Sequence, residues 1–263
     1  FDAMMPEAVE RVELLKGPSA LLNGAFPNGS IGGTVNITPK RAGDEPLLQF
    51  TPSYISNAQF GGHVDVGRRF GEKKEFGIRF NGVYRRGDTP IDHNSREARL
   101  ATLGLDFRGD RLRLSSDLGY QEQDFEGARR KYQIAAGVPV PDEPDNTTNA
   151  FAPFSFNNPQ VFYGTFRGEF DFIDAVTGFM AIGASQKRQQ AVFAGSRTIT
   201  DAQGTLSAQN GTQLAINQTA VSGEVGLRAN LKTGPVGHQA VISHGRFHRE
   251  TRLGSNPYAI PAS

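Results

Sequence analysis

The 263-residue chain contains no cysteine and no tryptophan. Without cysteine there is neither a disulfide framework nor a thiolate metal site. An excess of one charge is missing too: 28 Lys+Arg face 27 Asp+Glu, a formal net of +1. That balance lacks the basic surplus by which nucleic-acid binders gather phosphates, so nucleic acid is not expected as a partner. No run of 18 apolar residues occurs and mean hydropathy is −0.42, so no transmembrane helix is expected. On window hydropathy alone the chain reads as soluble. No basic stretch leading into an apolar one opens the chain, and no signal peptide is read there.

Catalytic signatures are equally scarce. There is no G-x-S-x-G elbow, no H-E-x-x-H and no phosphate-cradling glycine loop. His244 and His248 share a face of one strand, but at ~3.3 Å per residue their Cα atoms lie roughly 13 Å apart, too far for simple joint metal ligation. The acidic run Asp142, Glu143 and Asp145 lacks the turn glycine of a calcium loop. No enzyme activity and no resident cofactor are expected.

Glycine and phenylalanine are abundant, at 31 and 19 residues. From Leu47 onward they take part in an alternation. Phe76, Ile78, Phe80, Gly82 and Tyr84 interleave with Gly77, Arg79, Asn81, Val83 and Arg85. Period two over that length marks a strand with one apolar face. The pattern repeats at Phe60–Val66, Ala101–Phe107, Phe162–Phe170 and Val221–Leu231. Nine strands are expected, near 47–55, 59–70, 74–86, 97–108, 111–125, 160–172, 176–194, 216–232 and 237–252. Alternation in 176–194 and 237–252 is too weak to assign faces.

The connections sort by parity. Every second one is a tight turn, at 71–73, 109–110, 173–175 and 233–236; the others lengthen to 126–159 and 195–215. Long up-and-down strands with short turns at one end and long loops at the other describe an all-β transmembrane antiparallel barrel. The alternative, a soluble β-sandwich, does not usually sort its loops this way. The inward face carries Arg79, Arg85, Arg108, Arg167, Glu169, Asp171, Glu224 and Arg228, which only a wet lumen or a polar plug accommodates. Half of each strand is polar, and this is why window hydropathy misses the spans.

Residues 1–43 have another texture: a short strand near 11–16, a helical turn near 18–23, a glycine loop and a strand near 33–38. Residues 8–24, AVERVELLKGPSALLNG, and 27–41, PNGSIGGTVNITPKR, resemble the end of the plug domain of TonB-dependent outer-membrane receptors. Later segments, YRRGDTPID from Tyr84 and LRLSSDLGY from Leu112, resemble early barrel strands of the siderophore branch. Two departures stand out: Asn23 replaces the family's aromatic, and the Pro-Gly-Gly element is displaced to Pro27–Gly33.

The resemblance implies a partial, about nine-stranded barrel over 44–263, preceded by the C-terminal part of an α+β plug over 1–43. It implies a bacterial outer-membrane location and active uptake of a ferric siderophore, narrowed to the hydroxamate type. Energy would come from the TonB complex through an N-terminal segment outside this chain, and outer-membrane lipid would surround the barrel. Haem, cobalamin or oligosaccharide ligands, and a non-transporting adhesin or phage-receptor barrel, are the alternatives. Lys16 stands where the family carries a basic residue before Gly-Pro, and by resemblance it latches plug to barrel through glutamates expected beyond Ser263, with Arg11 in a similar network. The 126–159 loop offers Arg130, Tyr132, Phe151, Phe154 and Phe156. Tyr163 is expected to face inward just below it. Aromatic walls with a few cations suit a compact iron chelate.

Overall fold

The computed structural model describes residues 5–17, 32–55, 57–128, 132–151, 153–194, 197–207 and 210–259. Apart from one 3-10 turn, Pro6–Ala8, the described residues form only strands. Strands β1 (Val9–Lys16) and β2 (Gly33–Pro39) pair antiparallel as a separate hairpin. The helical turn expected near 18–23 lies outside the described residues.

The main body is one nine-stranded antiparallel sheet. Its strands are β3 (Leu47–Ile55), β4 (Gln59–Phe70), β5 (Phe76–Asp88), β6 (Ser95–Arg108) and β7 (Leu112–Glu126). It continues through β9 (Phe156–Ile173), β10 (Val176–Ala194), β12 (Asn210–Thr233) and β13 (Val236–Ala259). Each strand pairs with its predecessor in this series, so the order along the sheet is the order along the chain. Two three-residue strands, β8 (Tyr132–Ile134) and β11 (Arg197–Ile199), pair parallel to each other and tie two of the long loops together. Sequence periodicity gave no sign of them.

Register follows from the turns. Thr233 pairs with Val236 across Gly234-Pro235, where Gly234 takes φ +60°; a two-residue turn of this kind needs a residue free of Cβ strain. The sheet then runs for 24 residue pairs without a bulge, from Thr233–Val236 to Asn210–Ala259. The short turns alternate with longer connections, as the parity of the sequence predicts.

One face of the sheet is an apolar belt, interrupted by Ser116 of β7 and by Arg68 of β4, whose guanidinium lies over the Phe70 ring. At the short-turn end it is edged by Phe70, Phe76, Phe107 and Phe170; the Phe76 and Phe107 rings lie 4.9 Å apart. At the long-loop end it is edged by Tyr54, Phe60, Tyr84, Tyr120 and Phe162, with Tyr54 and Phe60 5.0 Å apart. Between them lie Val64, Val66, Ile78, Phe80, Leu103, Leu105 and Leu118. Phe60 to Phe70 covers about 33 Å of strand at ~3.3 Å per residue. Tilted by ~40°, that matches the ~25 Å apolar band of an outer-membrane barrel with its two aromatic girdles. With tryptophan absent, phenylalanine and tyrosine supply both girdles.

The opposite face packs against the N-terminal segment. Met5 and Ala8, at the two ends of the 3-10 turn, close a small apolar core with Val83, Ala98 and Leu100 from β5 and β6. Met5 N donates to Gln121 Oε1 of β7 at 3.0 Å. In a parent receptor refolded into bilayers, Leu118→Arg on the belt face should cost about 2–4 kcal/mol. Ser115→Arg, on the opposite face of the same strand, should cost well under half of that. Equal losses in equilibrium unfolding would contradict this assignment of faces.

Candidate functional site

Residues Lys40 to Ala42 leave β2 and run across the inner face of β4 to β7. Here a polar interlock forms, made of charges projecting from alternate strand positions. Lys40 Nζ donates to Asp65 Oδ2 at 3.0 Å. Arg79 grips the same carboxylate from β5, Nε to Oδ1 at 2.5 Å and Nη2 to Oδ2 at 2.8 Å. The Asp65 side chain is 3% exposed. Asn81 lies beside it with its amide nitrogen 3.1 Å from both carboxylate oxygens and 3.2 Å from the Glu7 carbonyl. Asp65 therefore serves one cation from the N-terminal segment and one from the sheet.

Three further contacts repeat this arrangement. Arg41 binds Asp117 with both guanidinium nitrogens at 2.5 Å and reaches the Ser116 carbonyl at 3.1 Å. Thr165 donates to the same Asp117 carboxylate at 3.0 Å. Arg85 pairs with Glu7 at 2.7 Å. Arg69, its side chain 1% exposed, pairs with Asp106 at 2.7 Å and donates to the Ala42 carbonyl at 3.2 Å. Glycine makes the close approach possible at Gly104: a Cβ there would lie 2.9 Å from Arg41 Nη1 and 3.1 Å from the Lys40 carbonyl. Glu7, Lys40, Asp65, Arg69, Asp106 and Asp117 were not singled out from sequence. Their signal was inward charge parity together with the Pro39-Lys40-Arg41 end of the plug-like motif.

The residues expected to latch lie elsewhere. Arg11 is exposed on β1 and pairs within its own strand with Glu13 at 2.8 Å; Glu13 also accepts from Asn36 of β2 at 2.8 Å. Lys16 is exposed at the far end of β1, opposite Gly33, and has no ion pair among the described residues. Among the described residues neither forms an ion pair with the nine-stranded sheet, and the partners expected for Lys16 lie outside this chain.

The residues expected to hold ligand divide by position. Arg130 falls outside the described residues. The rings of Tyr132 and Phe151 pack 5.2 Å apart, and Phe151 is buried. Phe154 is 56% exposed in the same loop. Phe156 opens β9 in register with Glu126 and Val192, on the belt side of the sheet rather than the lumen side. Tyr163 does face the lumen, its ring lying over Gly119 where a Cβ would collide with it. The structure thus joins Tyr132 and Phe151, leaves Phe154 exposed in the same loop, sets Tyr163 toward the lumen, and turns Phe156 away.

The long loops are stiffened by local bonds. Asp92 N donates to the Thr147 carbonyl at 2.8 Å, and Asn94 reaches the Gly127 carbonyl at 3.0 Å. Asp145 accepts from the Thr147 N–H and hydroxyl, both at 2.9 Å. These bonds hold its carboxyl below the ordinary range. Among the described residues no cluster of His, Asp and Glu is arranged to hold a metal ion.

No family model matches the chain. A ferrichrome receptor of Yersinia enterocolitica, FcuA, is 35% identical over 251 residues, 94% of this chain. The chain spans about a third of that relative, 33% of its length. Among solved structures, the ferric preacinetobactin receptor BauA of Acinetobacter baumannii is 40% identical, with a TM-score of 0.92 over 96% of this chain and 38% of its own. FpvA of Pseudomonas aeruginosa bound to pyoverdines shares the fold at 18% identity, TM-score 0.79, over 95% of this chain and 33% of its own.

Unequal responses of the interlock are expected. Asp65→Ala strands two cations and should cost a parent receptor about 3 kcal/mol or more. Lys40→Met leaves Asp65 bidentate with Arg79 and should cost about 1 kcal/mol. Urea unfolding of the detergent-solubilised receptor ranks them; equal losses would show that Arg79 does not hold the carboxylate.

Proposed function

The chain matches a fragment of a TonB-dependent ferric siderophore receptor, and from that premise we propose that its parent protein carries a ferric siderophore across the bacterial outer membrane. In this reading residues 1–43 are the end of the plug and residues 44–263 the first part of the barrel wall. The observation that carries it is the interlock: a segment crossing the lumen, held to the wall by Lys40–Asp65 and Arg41–Asp117. The belt on the other face suits a lipid-embedded barrel.

The function needs no bond made or broken in the cargo. Ligand is captured at the long-loop rim, where Tyr132 packs on the buried Phe151 and Phe154 stands exposed, with Arg130 supplying charge and Tyr163 lining the path beneath. TonB then draws on the plug through a segment outside this chain. Displacing Lys40 leaves Asp65 with Arg79, so the wall keeps a neutralised carboxylate while the plug moves. Uptake is a shift between closed and energised plug states, and the driven state differs in these pairings. Hydroxamate chemistry is our narrower reading of the cargo, supported by the ferrichrome receptor among the relatives.

Uptake of labelled ferric siderophore by cells making the parent receptor should disappear when TonB is deleted, while surface binding persists. Uptake that survives the deletion would favour a barrel without active transport. A panel of hydroxamate, catecholate and mixed chelates, with haem and cobalamin as further arms, identifies the cargo. Phe154→Ala should leave folding unchanged and weaken binding roughly tenfold, about 1.4 kcal/mol, in an equilibrium titration of the purified receptor.

A further inference from the structure

Arg85 of β5 and Arg96 of β6 project from the lumen face on the long-loop side of Tyr84. They stand one row apart: Arg85 opposite Ala98, and Arg96 opposite Gly87 and Phe125. The 3-10 turn of the N-terminal segment packs on Val83, Ala98 and Leu100. Arg96 therefore lies at the upper margin of that packing. A chelate captured at the long-loop rim first meets the N-terminal segment there.

Two cations at this margin share one carboxylate. Arg85 Nη2 donates to Glu7 Oε1 at 2.7 Å, with side-chain exposures of 18% and 16%. Arg96 has no ion pair among the described residues. Its Nη2 donates to Gln123 Oε1, and its guanidinium lies 5.0 Å from the centroid of the Phe125 ring. Arg85 Nε, Arg96 Nε and Glu7 Oε2 are buried without a hydrogen-bond partner among the described residues. Burial and the nearby charge of Arg85 depress the Arg96 guanidinium below its ordinary range, and Glu7 works against both. Two N–H donors and one positive charge are thus left unanswered. A buried donor without an acceptor is costly, and a guanidinium over an aromatic plate is held flat for a planar acceptor.

We propose that Arg96 and Arg85 form an anion subsite for a free carboxylate on the incoming ferric chelate, and that Glu7 is the resident carboxylate it displaces. A carboxylate brings two acceptor oxygens to the two idle Nε–H groups. Only the Glu7 side chain has to move. Its carbonyl still accepts from the Asn81 amide, and the Met5 N–H still donates to Gln121. Cargo charge is thereby read at the seam between the N-terminal segment and the wall, and a neutral chelate leaves Glu7 on Arg85. The proposal rests on the siderophore reading above.

Two ferric trihydroxamates built on desferrioxamine B serve as probes. The N-succinyl form carries a free carboxylate, and the N-acetyl form is neutral. Each is titrated into the detergent-solubilised parent receptor by fluorescence quenching, with folding verified by heat-modifiable gel mobility. The succinyl probe should bind at least fivefold more tightly than the acetyl probe. R96Q should bring that ratio close to one, and R96K should keep part of it. E7Q removes the competing charge and should raise the ratio at least threefold, whereas a merely structural Glu7 would weaken both probes alike. Equal affinities in the unaltered receptor, a ratio untouched in folded R96Q, or a ratio not raised by E7Q would each overturn the anion subsite alone. Binding of neither probe would overturn it together with the hydroxamate reading beneath, so the two failures are distinguishable.

Discussion

Asp65 is the carboxylate around which the described structure is arranged. It is almost wholly enclosed and answers two cations of different origin: Lys40 from the segment that crosses the lumen and Arg79 from the neighbouring strand. A buried ion left alone is costly, whereas one with bidentate hydrogen bonds is tolerated. Arg79 makes Asp65 permanently tolerable; Lys40 makes it useful. The lumen-crossing segment is thus held by a cation whose partner carboxylate has a second cation of its own in the wall. The Arg41–Asp117 pair differs, because Arg41 is the one cation paired with Asp117 among the described residues and Thr165 adds only a neutral hydroxyl donor.

The two faces of the sheet solve opposite problems with the same backbone. On one, phenylalanine and tyrosine edges enclose a band of branched aliphatics. On the other, arginine and aspartate alternate with glycines that open room for guanidinium groups. Gly104 and Gly119 show this use of glycine: each is the space into which a plug arginine or a lumen tyrosine settles. The glycine excess of the composition is in part a map of where the inner surface must be approached closely.

Much of the barrel wall was legible because a membrane imposes period two over whole strands. The expected strands 47–55, 59–70 and 176–194 coincide with β3, β4 and β10. The misses share a cause. Strands β9, β12 and β13 extend well beyond their expected limits at the long-loop end. There the apolar–polar alternation lapses, as at Asn157-Asn158-Pro159 and Gly211-Thr212-Gln213. The β8–β11 pair was invisible because three residues carry no period and their partner lies in another loop. The interlock was hidden by distance along the chain: Lys40 and Asp65 are 25 positions apart, Arg41 and Asp117 are 76 apart, and Arg85 and Glu7 are 78 apart. Parity revealed that the charges face inward, but only the fold shows which ones meet. Phe156 illustrates the converse. Its composition matched a ligand loop, and one residue of strand parity turned it to the other side.

The asymmetry of the connections has a consequence for how such a protein changes over time. At one end, turns such as Gly234-Pro235 admit neither insertion nor deletion, since one added residue would flip an entire strand between lipid and water. At the other, the strands have already left the membrane, and a loop can lengthen, shorten or be replaced while the register below stays intact. Fixed register and room for variation therefore lie at opposite ends of the strands. A lineage can rewrite the long-loop rim while the membrane-spanning wall is inherited unchanged.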